Sequence, residues 1–455
     1  MGMRSTNPAT GEVFAEFANH TAAEVEAIVA AAHEAQATWR TVPLTEREHC
    51  LQRLAVLLEE EAESLARLAT LEMGKPIAEA IGEVRKCAWV CRYYAESATE
   101  LLRPRAIATE ATDSYVRYDP LGVILAVMPW NFPFWQVFRF LAPTLMAGNA
   151  GLLKHAPNVP QCAQAVECLA RQAGFPAALF RALFVDVNTV GPLIADPRIA
   201  GATLTGSEAA GQAVGAAAGA AIKPVVLELG GSDPFIVLAD ADLAKAVTAA
   251  VASRCLNSGQ SCIAAKRFIV VADVYDTFVE QMATGLSALR VGDPLAPETE
   301  IGPLAAPRFR DTLHGQVQRL IAEGATLQLG GTILAGPGCF YPPTLLTAVP
   351  HGSATAREEV FGPVACVFRV ANTEEAITLA NHTAFGLGAS LWTRSRATAD
   401  ALIPRLDAGA VFVNSMVKSD PRLPFGGTKR SGVGRELSRE GILAFMNAKT
   451  VTIET

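Results

Sequence analysis

Apolar residues in the first hundred positions recur at three- and four-residue spacing, with Glu, Arg and Lys between them. This is the periodicity of amphipathic helices, and it predicts helices at Ala22–Arg40, Thr45–Met73 and Lys75–Arg103. After Arg103 short β-branched runs alternate with helical windows. This alternation predicts βαβ units around a parallel sheet that helices cover on both faces, so we expect an α/β fold.

Two sets of alternating elements follow one another along the chain. The first has the strand-like runs GVILAVM, GLLKH, ATLTG, PVVLEL and FIVL, with helical windows at Phe134–Met146, Cys162–Ala173, Glu208–Gly219 and Leu243–Leu256. The second includes RFIVVADV, PPTLLTAV, PVACVFRV, GASLWT and AGAVFVN, and it predicts a second α/β domain that begins near Gly230. Residues 106–118 and the terminal TVTIE fit neither set, and either could be an edge strand that pairs with another subunit.

Size and composition limit the possible classes of protein. A chain of 455 residues, 50% hydrophobic and 18% charged, is expected to form two or three domains. Its net charge of −7 comes from interspersed acids and bases without a basic run, so nucleic acid is not an expected partner. The apolar runs are far shorter than the ~18 residues that span a bilayer, and the N-terminus has no apolar signal core. Nine cysteines without CxxC pairs fit a reduced compartment, so we expect a cytoplasmic protein that does not bind a membrane.

One of these cysteines, Cys262, lies in the stretch NSGQSCIAA. The small residues before it allow the backbone to turn, and the residues after it suggest a helix whose first turn holds the cysteine. A helix N-terminus would lower the pKa of the thiol and make Cys262 a nucleophile. The alternative is a small buried core residue. The local sequence does not favour one over the other.

Two further residues stand at strand ends. Glu228 is the only charge in VVLELGG, and a buried glutamate needs a partner such as a lysine or a raised pKa suited to proton transfer. Asn131 follows an apolar strand in VMPWNFPFW, where open α/β sheets bind ligands. Its amide could donate to an oxyanion or only stabilise a turn.

Several common motifs are absent from the sequence. It contains no GxGxxG after a strand, no GxxxxGK[ST], no GxSxG and no HExxH, and its histidines and cysteines form no metal-ligand cluster. We therefore expect neither serine-hydrolase chemistry nor a bound metal.

Eight stretches, in order, resemble the NAD(P)-dependent aldehyde dehydrogenase superfamily over nearly the whole chain. They are NPATGEVFAEF, VMPWNFP, GLLKHAPN, LTGSEAAG, LELGGSDP, NSGQSC, EEVFGPV and PFGGTKRSGVGRE. LKHAPN and FWQVFR resemble the short bacterial-type succinate-semialdehyde dehydrogenases most. The resemblance implies a Rossmann-like cofactor-binding domain at 1–105 and 129–229, a catalytic α/β domain at 230–428, and a small β oligomerisation element at 106–128 and 429–455. It also implies a homodimer or homotetramer.

The resemblance further implies roles for the candidate residues. Cys262 would attack the aldehyde and Glu228 would be the general base. Asn131 and the Cys262 backbone N–H would bind the oxyanion. The implied dinucleotide contacts are Trp130, Lys154, Pro157, Gly206, Ser207, Gly211, Leu229, Glu359 and Phe361.

Cofactor choice depends on the position three residues after Lys154. Many NAD-preferring relatives have a ribose-binding Glu there, and NADP-using short relatives often have a hydroxyl residue, whereas this chain has Pro157. Because proline offers neither a side-chain donor nor a backbone N–H for the extra phosphate, we expect NAD to be preferred, with NADP possible.

The implied substrate site contains Trp135, Arg139, Ser261 and Ser419. Arg139 would bind the distal carboxylate of succinate semialdehyde, and the alternative is a salt bridge to an internal acid. Other possible functions are an aldehyde dehydrogenase of different or broad specificity, a thiol acyltransferase or esterase, and a non-catalytic descendant of the fold.

Overall fold

The structure is a computed structural model, and it describes residues 2–455. Its helices agree closely with the sequence periodicity. They are Ala22–Trp39, Leu44–Glu60, Ala62–Met73, Ile77–Leu101, Trp135–Met146, Pro160–Gln172, Val190–Ala195, Glu208–Ala220, Leu243–Cys255, Ala272–Ser287, Pro307–Ala322, Thr373–Asn381, Arg396–Leu402 and Ser438–Leu443. The expected single helix Thr45–Met73 is two helices, because Glu61 leaves the helical conformation at φ −102° and ψ 15°.

A six-stranded sheet forms the first α/β domain. In spatial order its strands are Gly432–Val433, Val225–Glu228, Ile199–Thr205, Val123–Met128, Ala150–His155 and Phe180–Ala182. All neighbouring pairs are parallel except the one that includes Gly432–Val433. The carboxyl ends of the five parallel strands therefore meet at one edge of the sheet.

A seven-stranded sheet forms the second α/β domain. Its strands in order are Thr326–Leu329, Thr344–Thr347, Val364–Val370, Arg267–Val271, Pro234–Val237, Gly388–Trp392 and Ala410–Val413. Only the first pair is antiparallel. The two sheets and their covering helices confirm the expected α/β fold.

Three smaller sheets complete the structure. Met446–Ile453 pairs along the length of Asp113–Pro120, which also pairs with Arg105–Ala106. The two stretches that fit neither alternating set therefore pair with each other within one chain. Two-stranded sheets join Met3–Thr6 to Val13–Phe17 and Phe385–Gly386 to Thr428–Lys429.

Two expected domain boundaries are wrong. Val123–Met128 was assigned to the oligomerisation element at 106–128, but it is a nearly fully buried strand inside the six-stranded sheet. The chain turns at Gly122, whose φ of 145° suits glycine, and there the mixed polar pattern gives way to a continuous apolar run. Gly432–Val433, expected in the element at 429–455, is an edge strand of the same sheet.

Helix ends follow ordinary capping rules. Thr21 and Glu24 form a capping box at the start of the first helix, and Gly74 ends the third in the left-handed conformation. None of the helices in residues 2–455 is both apolar enough and long enough to span a bilayer.

Candidate active site

Four candidate residues lie where parallel strands of the six-stranded sheet end. Asn131 and Lys154 lie at the ends of two neighbouring strands, and Ser207 and Glu228 at the ends of the next two. The sequence predicted this placement because each residue follows an apolar run. Cys262 comes from the other domain, in the connection between the helix Leu243–Cys255 and the strand Arg267–Val271.

The connection that carries Cys262 contains no helix after the cysteine, so that expectation was wrong. Asn257, Ser258 and Gly259 have φ values of 56°, 54° and 74°, which form a left-handed turn before it. The Asn257 side chain fixes this turn by donating to the carbonyls of Asn131 at 2.6 Å and Gln260 at 3.1 Å. Gly259 is required there, because a Cβ atom would lie 2.2 Å from the backbone of the Gly362 loop.

Lys266 holds the other side of the Cys262 turn. Its buried ammonium group donates to the carbonyls of Ser261 at 3.0 Å, Cys262 at 2.8 Å and Ala264 at 3.2 Å. The same Nζ atom lies 3.6 Å from a carboxylate oxygen of Glu359. One buried cation therefore connects the cysteine turn to Glu359, an expected cofactor ligand.

The environment of the Cys262 thiol differs from the predicted one. Burial raises its pKa to about 12, although the charges of Lys266 and Arg139 act in the opposite direction. The expected lowered pKa is therefore wrong for this structure, because no helix N-terminus lies behind the sulfur. Thiolate formation must come with transfer of the proton to a base or water.

Asn131 is buried against this turn, whereas Glu228 is buried at the end of its strand and is not among the residues that line the Cys262 cavity. Asn131 donates one amide hydrogen to the Gln260 carbonyl at 3.1 Å, which leaves its second N–H for a ligand. Neither carboxylate oxygen of Glu228 has a hydrogen-bond partner among the described residues. Burial, and then the charge of Glu436, raise the pKa of Glu228 well above its usual range. This confirms the expectation of a raised pKa, and none of the lysines in residues 2–455 pairs with Glu228.

A cavity of about 300 Å³ opens beside Cys262. The structure brings Trp135, Arg139, Ser261 and Ser419 together in its wall, as the sequence predicted for a substrate site. The remaining lining residues are Glu79, Gly82, Glu83, Lys86, Phe132, Gln136, Leu256, Ile263, Met416, Val417, Lys418 and Phe425.

Arg139 has the internal partner that was the alternative explanation for it. Its guanidinium forms an ion pair with buried Glu436, donates to Thr205 Oγ1 at 3.3 Å and lies 4.7 Å from the Phe425 ring centre. These two polar partners occupy only part of a group with five N–H donors. Arg139 also lines the cavity, where a substrate would meet it. Its contact with a substrate carboxylate stays a prediction.

The sequence analysis missed Glu83 and Lys86. Glu83 accepts hydrogen bonds from the backbone N–H groups of Phe134 at 2.9 Å and Trp135 at 2.8 Å, and it forms an ion pair with Lys75. Lys86 donates to Ser419 Oγ at 2.7 Å. The available signal was that Glu83 falls on the apolar stripe of a long helix, with Lys86 one turn away.

The expected dinucleotide contacts surround the strand ends. Ser207 caps the helix Glu208–Ala220 by accepting from the N–H of Ala210 at 3.3 Å, so the positive end of this helix lies just beyond the carboxyl end of the strand Ile199–Thr205. Burial lowers the pKa of Lys154, and no carboxylate of residues 2–455 lies within 4 Å of its Nζ. A free buried cation and a helix N-terminus fit a phosphate-bearing cofactor.

The other expected dinucleotide residues make aromatic and close glycine contacts. Trp130 packs edge to face against Phe361, with centroids 5.9 Å apart, and against Phe309 at 4.5 Å, a contact that sequence analysis missed. Gly211 packs so closely on Leu229 that a Cβ would lie 2.5 Å from it. The remaining contacts are Glu359 Oε1 with the Gly231 N–H at 3.1 Å, Gly206 N–H with the Glu228 carbonyl at 2.9 Å, and the Pro157 carbonyl with the Arg4 N–H at 3.3 Å.

Residues 1–451 match the model of the aldehyde dehydrogenase family, and the chain belongs to that family. It is 54% identical to a probable NADP(+) succinate-semialdehyde dehydrogenase of Synechocystis sp., with all of both chains covered. It is 53% identical to succinate-semialdehyde dehydrogenase [NADP(+)] 1 of Mycobacterium tuberculosis, again over both full lengths. A succinic semialdehyde dehydrogenase from Streptococcus pyogenes, solved in complex with NADP+, superposes with a TM-score of 0.97 at 37% identity and covers both chains fully.

Proposed function

We propose that this enzyme oxidises succinate semialdehyde to succinate with NADP. The observation that carries the proposal is that one cavity is lined by Cys262, Arg139 and Ser419 together. A cavity with a nucleophile and cationic side chains suits an aldehyde with a distal carboxylate. The names of the full-length relatives support the same substrate.

In this proposal Cys262 carries the bond changes. Its thiol passes its proton to a base or water, and the sulfur adds to the aldehyde carbon, which makes that carbon tetrahedral and its oxygen an alkoxide. The second amide hydrogen of Asn131 and the backbone N–H of Cys262 donate to this alkoxide. Bound NADP supplies a hydride acceptor for the tetrahedral carbon. Cys262 then holds the acyl group as a thioester.

Glu228 completes the reaction as general base. Because no described residue neutralises its buried carboxylate by hydrogen bonding, it can take a proton from a water molecule that attacks the thioester. The carbon–sulfur bond breaks, the carboxylic acid is released as succinate, and the Cys262 thiol is restored. The raised pKa of Glu228 suits this uptake and release of a proton.

NADP replaces NAD as the expected cofactor. The NAD preference expected from Pro157 is not supported, since the relatives named above are NADP(+) enzymes and the neighbouring structure holds NADP+. Pro157 removes a donor, but it also leaves no carboxylate to repel a 2′-phosphate. Lys154, without an ion-pair partner, supplies the positive charge that the phosphate needs.

We further propose that the three-stranded sheet joins subunits into a homodimer or homotetramer. Its edge strand Met446–Ile453 is mostly exposed over eight residues and can extend a sheet or pack against a second copy. A molar mass of one chain by light scattering would contradict this. The cytoplasmic location stays a prediction.

The test of function is an absorbance assay of nicotinamide reduction over a panel of aldehydes with each cofactor. Succinate semialdehyde should exceed butanal in kcat/KM by about 10² or more, because the cationic side chains of the wall retain N–H donors that a substrate carboxylate can accept from and a neutral aldehyde cannot. NADP should give a higher kcat/KM than NAD. Equal rates with both aldehydes would leave an aldehyde dehydrogenase of broad specificity, and acyl-ester turnover without nucleotide would favour the esterase alternative.

A further inference from the structure

The long helix Ile77–Leu101 presents a basic side chain, Lys86, to the Cys262 cavity, whose other basic lining residues are Arg139 and Lys418. Lys86 lies one turn beyond Gly82 and Glu83, which also line the wall. Its Nζ atom donates to Ser419 Oγ at 2.7 Å and lies 4.3 Å from the centre of the Trp135 ring. Lys86 therefore contacts two of the residues that the sequence predicted for substrate binding.

Lys86 differs from Arg139 because no carboxylate of the described residues forms an ion pair with it. Arg139 forms an ion pair with Glu436, so that pair adds no net charge to the cavity. In residues 2–455 no carboxylate oxygen lies within 4 Å of Lys86 Nζ, and nearby Glu83 pairs with Lys75. Lys86 is half-buried, and a cation partly removed from water without a counter-ion is favoured by a ligand that supplies the negative charge.

The hydrogen bond between Lys86 and Ser419 has a direction that suits an anionic ligand. A lysine ammonium can only donate, so the Ser419 oxygen accepts from it and the hydroxyl hydrogen remains free to point elsewhere. Lys86 retains further N–H donors after this bond. A carboxylate at this position would receive hydrogen bonds from both groups.

We propose that Lys86 is a specificity-determining residue that, together with the Ser419 hydroxyl, binds the distal carboxylate of the aldehyde substrate. The inference rests on the proposed function and adds an anion-binding pair to it. Other parts of the wall, such as Phe132, Ile263 and Val417, are apolar. The carboxylate is thereby directed to the basic end of the cavity while the aldehyde carbon remains at Cys262.

The experiment compares kcat and KM for succinate semialdehyde and butanal in wild type and variants. Lys86→Met removes the charge, and Lys86→Gln removes the charge while it keeps a donor for Ser419. Either should lower kcat/KM for succinate semialdehyde about 10- to 100-fold, mainly through KM, and change butanal less than about threefold. Lys86→Arg should restore most of the preference, because it returns a cation.

Arg85→Met is the matched control, since Arg85 is an exposed cation on the same helix and does not line the cavity. It should leave both substrates unchanged. The proposal is overturned if Lys86→Gln lowers both aldehydes equally or leaves the preference intact, since either result would give Lys86 only a structural role. If wild type itself shows no preference for succinate semialdehyde, the proposed function fails, and the failure is visible before any variant is made.

Discussion

The two sheets contribute to the candidate site in different ways. The six-stranded sheet places Asn131, Lys154 and Glu228 directly beyond strands whose backbone hydrogen bonds fix their positions. The seven-stranded domain supplies Cys262 on a left-handed turn before a strand, and buried polar side chains hold that turn. The strand-end residues are positioned by regular backbone hydrogen bonds between strands. The Cys262 turn is positioned by a few side-chain contacts between distant parts of the chain.

This difference separates residues that take part in the reaction from residues that only hold the nucleophile in position. Substitution of a strand-end group should remove one function and leave the fold intact. Substitution of a residue that holds the turn should move the nucleophile without touching the substrate. The following changes test that distinction, starting with the largest expected effect.

Replacement of the nucleophile should give the greatest loss. Cys262→Ala should lower aldehyde oxidation by about 10³-fold or more, because no bond to the carbonyl carbon can form. Binding of NADP, measured by fluorescence titration, should remain close to wild type because Cys262 is not one of the expected nucleotide contacts. Steady nicotinamide reduction by this variant would refute the assigned role.

Replacement of the base should separate two steps of the same reaction. Glu228→Gln should slow thioester hydrolysis by about 10²-fold or more while hydride removal continues, because only hydrolysis needs the base. Stopped-flow absorbance should then show one rapid burst per site followed by slow turnover. A normal steady-state rate would show that another group activates the water.

The pH dependence of the hydrolysis rate should reflect the protonation state of Glu228. Burial raises the pKa of Glu228, so more of it is protonated at neutral pH, and the active base form increases as pH rises. The hydrolysis step of wild type should therefore accelerate with pH by up to about tenfold per unit below that pKa. In Glu228→Gln this slope should disappear, and a retained slope would assign it to a different group.

Loss of the Lys266 hydrogen bonds to the cysteine turn should have a smaller effect. Lys266→Met removes the donor shared by three carbonyls, so the turn should loosen and kcat should fall about tenfold without the burst expected of Glu228→Gln. Lys245→Met is the control, because Lys245 is an exposed lysine on the helix leading to the turn. An unchanged kcat in Lys266→Met would mean that backbone contacts alone hold the nucleophile.

The sequence predicted most elements because their apolar spacing matches their burial. The helix Trp135–Met146 begins one residue after its expected start, and Glu228 lies at the end of its strand as expected. The helix expected after Cys262 is absent because the chain extends into a strand within a few residues, and small residues fit either conformation. The contacts of Lys266, Lys86 and Glu436 join distant parts of the chain, so no local pattern indicates them.

The last strand of the six-stranded sheet comes near the end of the printed sequence, which affects folding during synthesis. Glu436, which pairs with Arg139, and Gly432–Val433, which pairs beside Glu228, belong to the last tenth of the sequence. During synthesis the earlier strands can assemble while this segment is still inside the ribosome. The Arg139–Glu436 pair therefore forms only after residue 436 has left the ribosome, and a shorter nascent chain holds Cys262 beside an Arg139 that has no counter-ion.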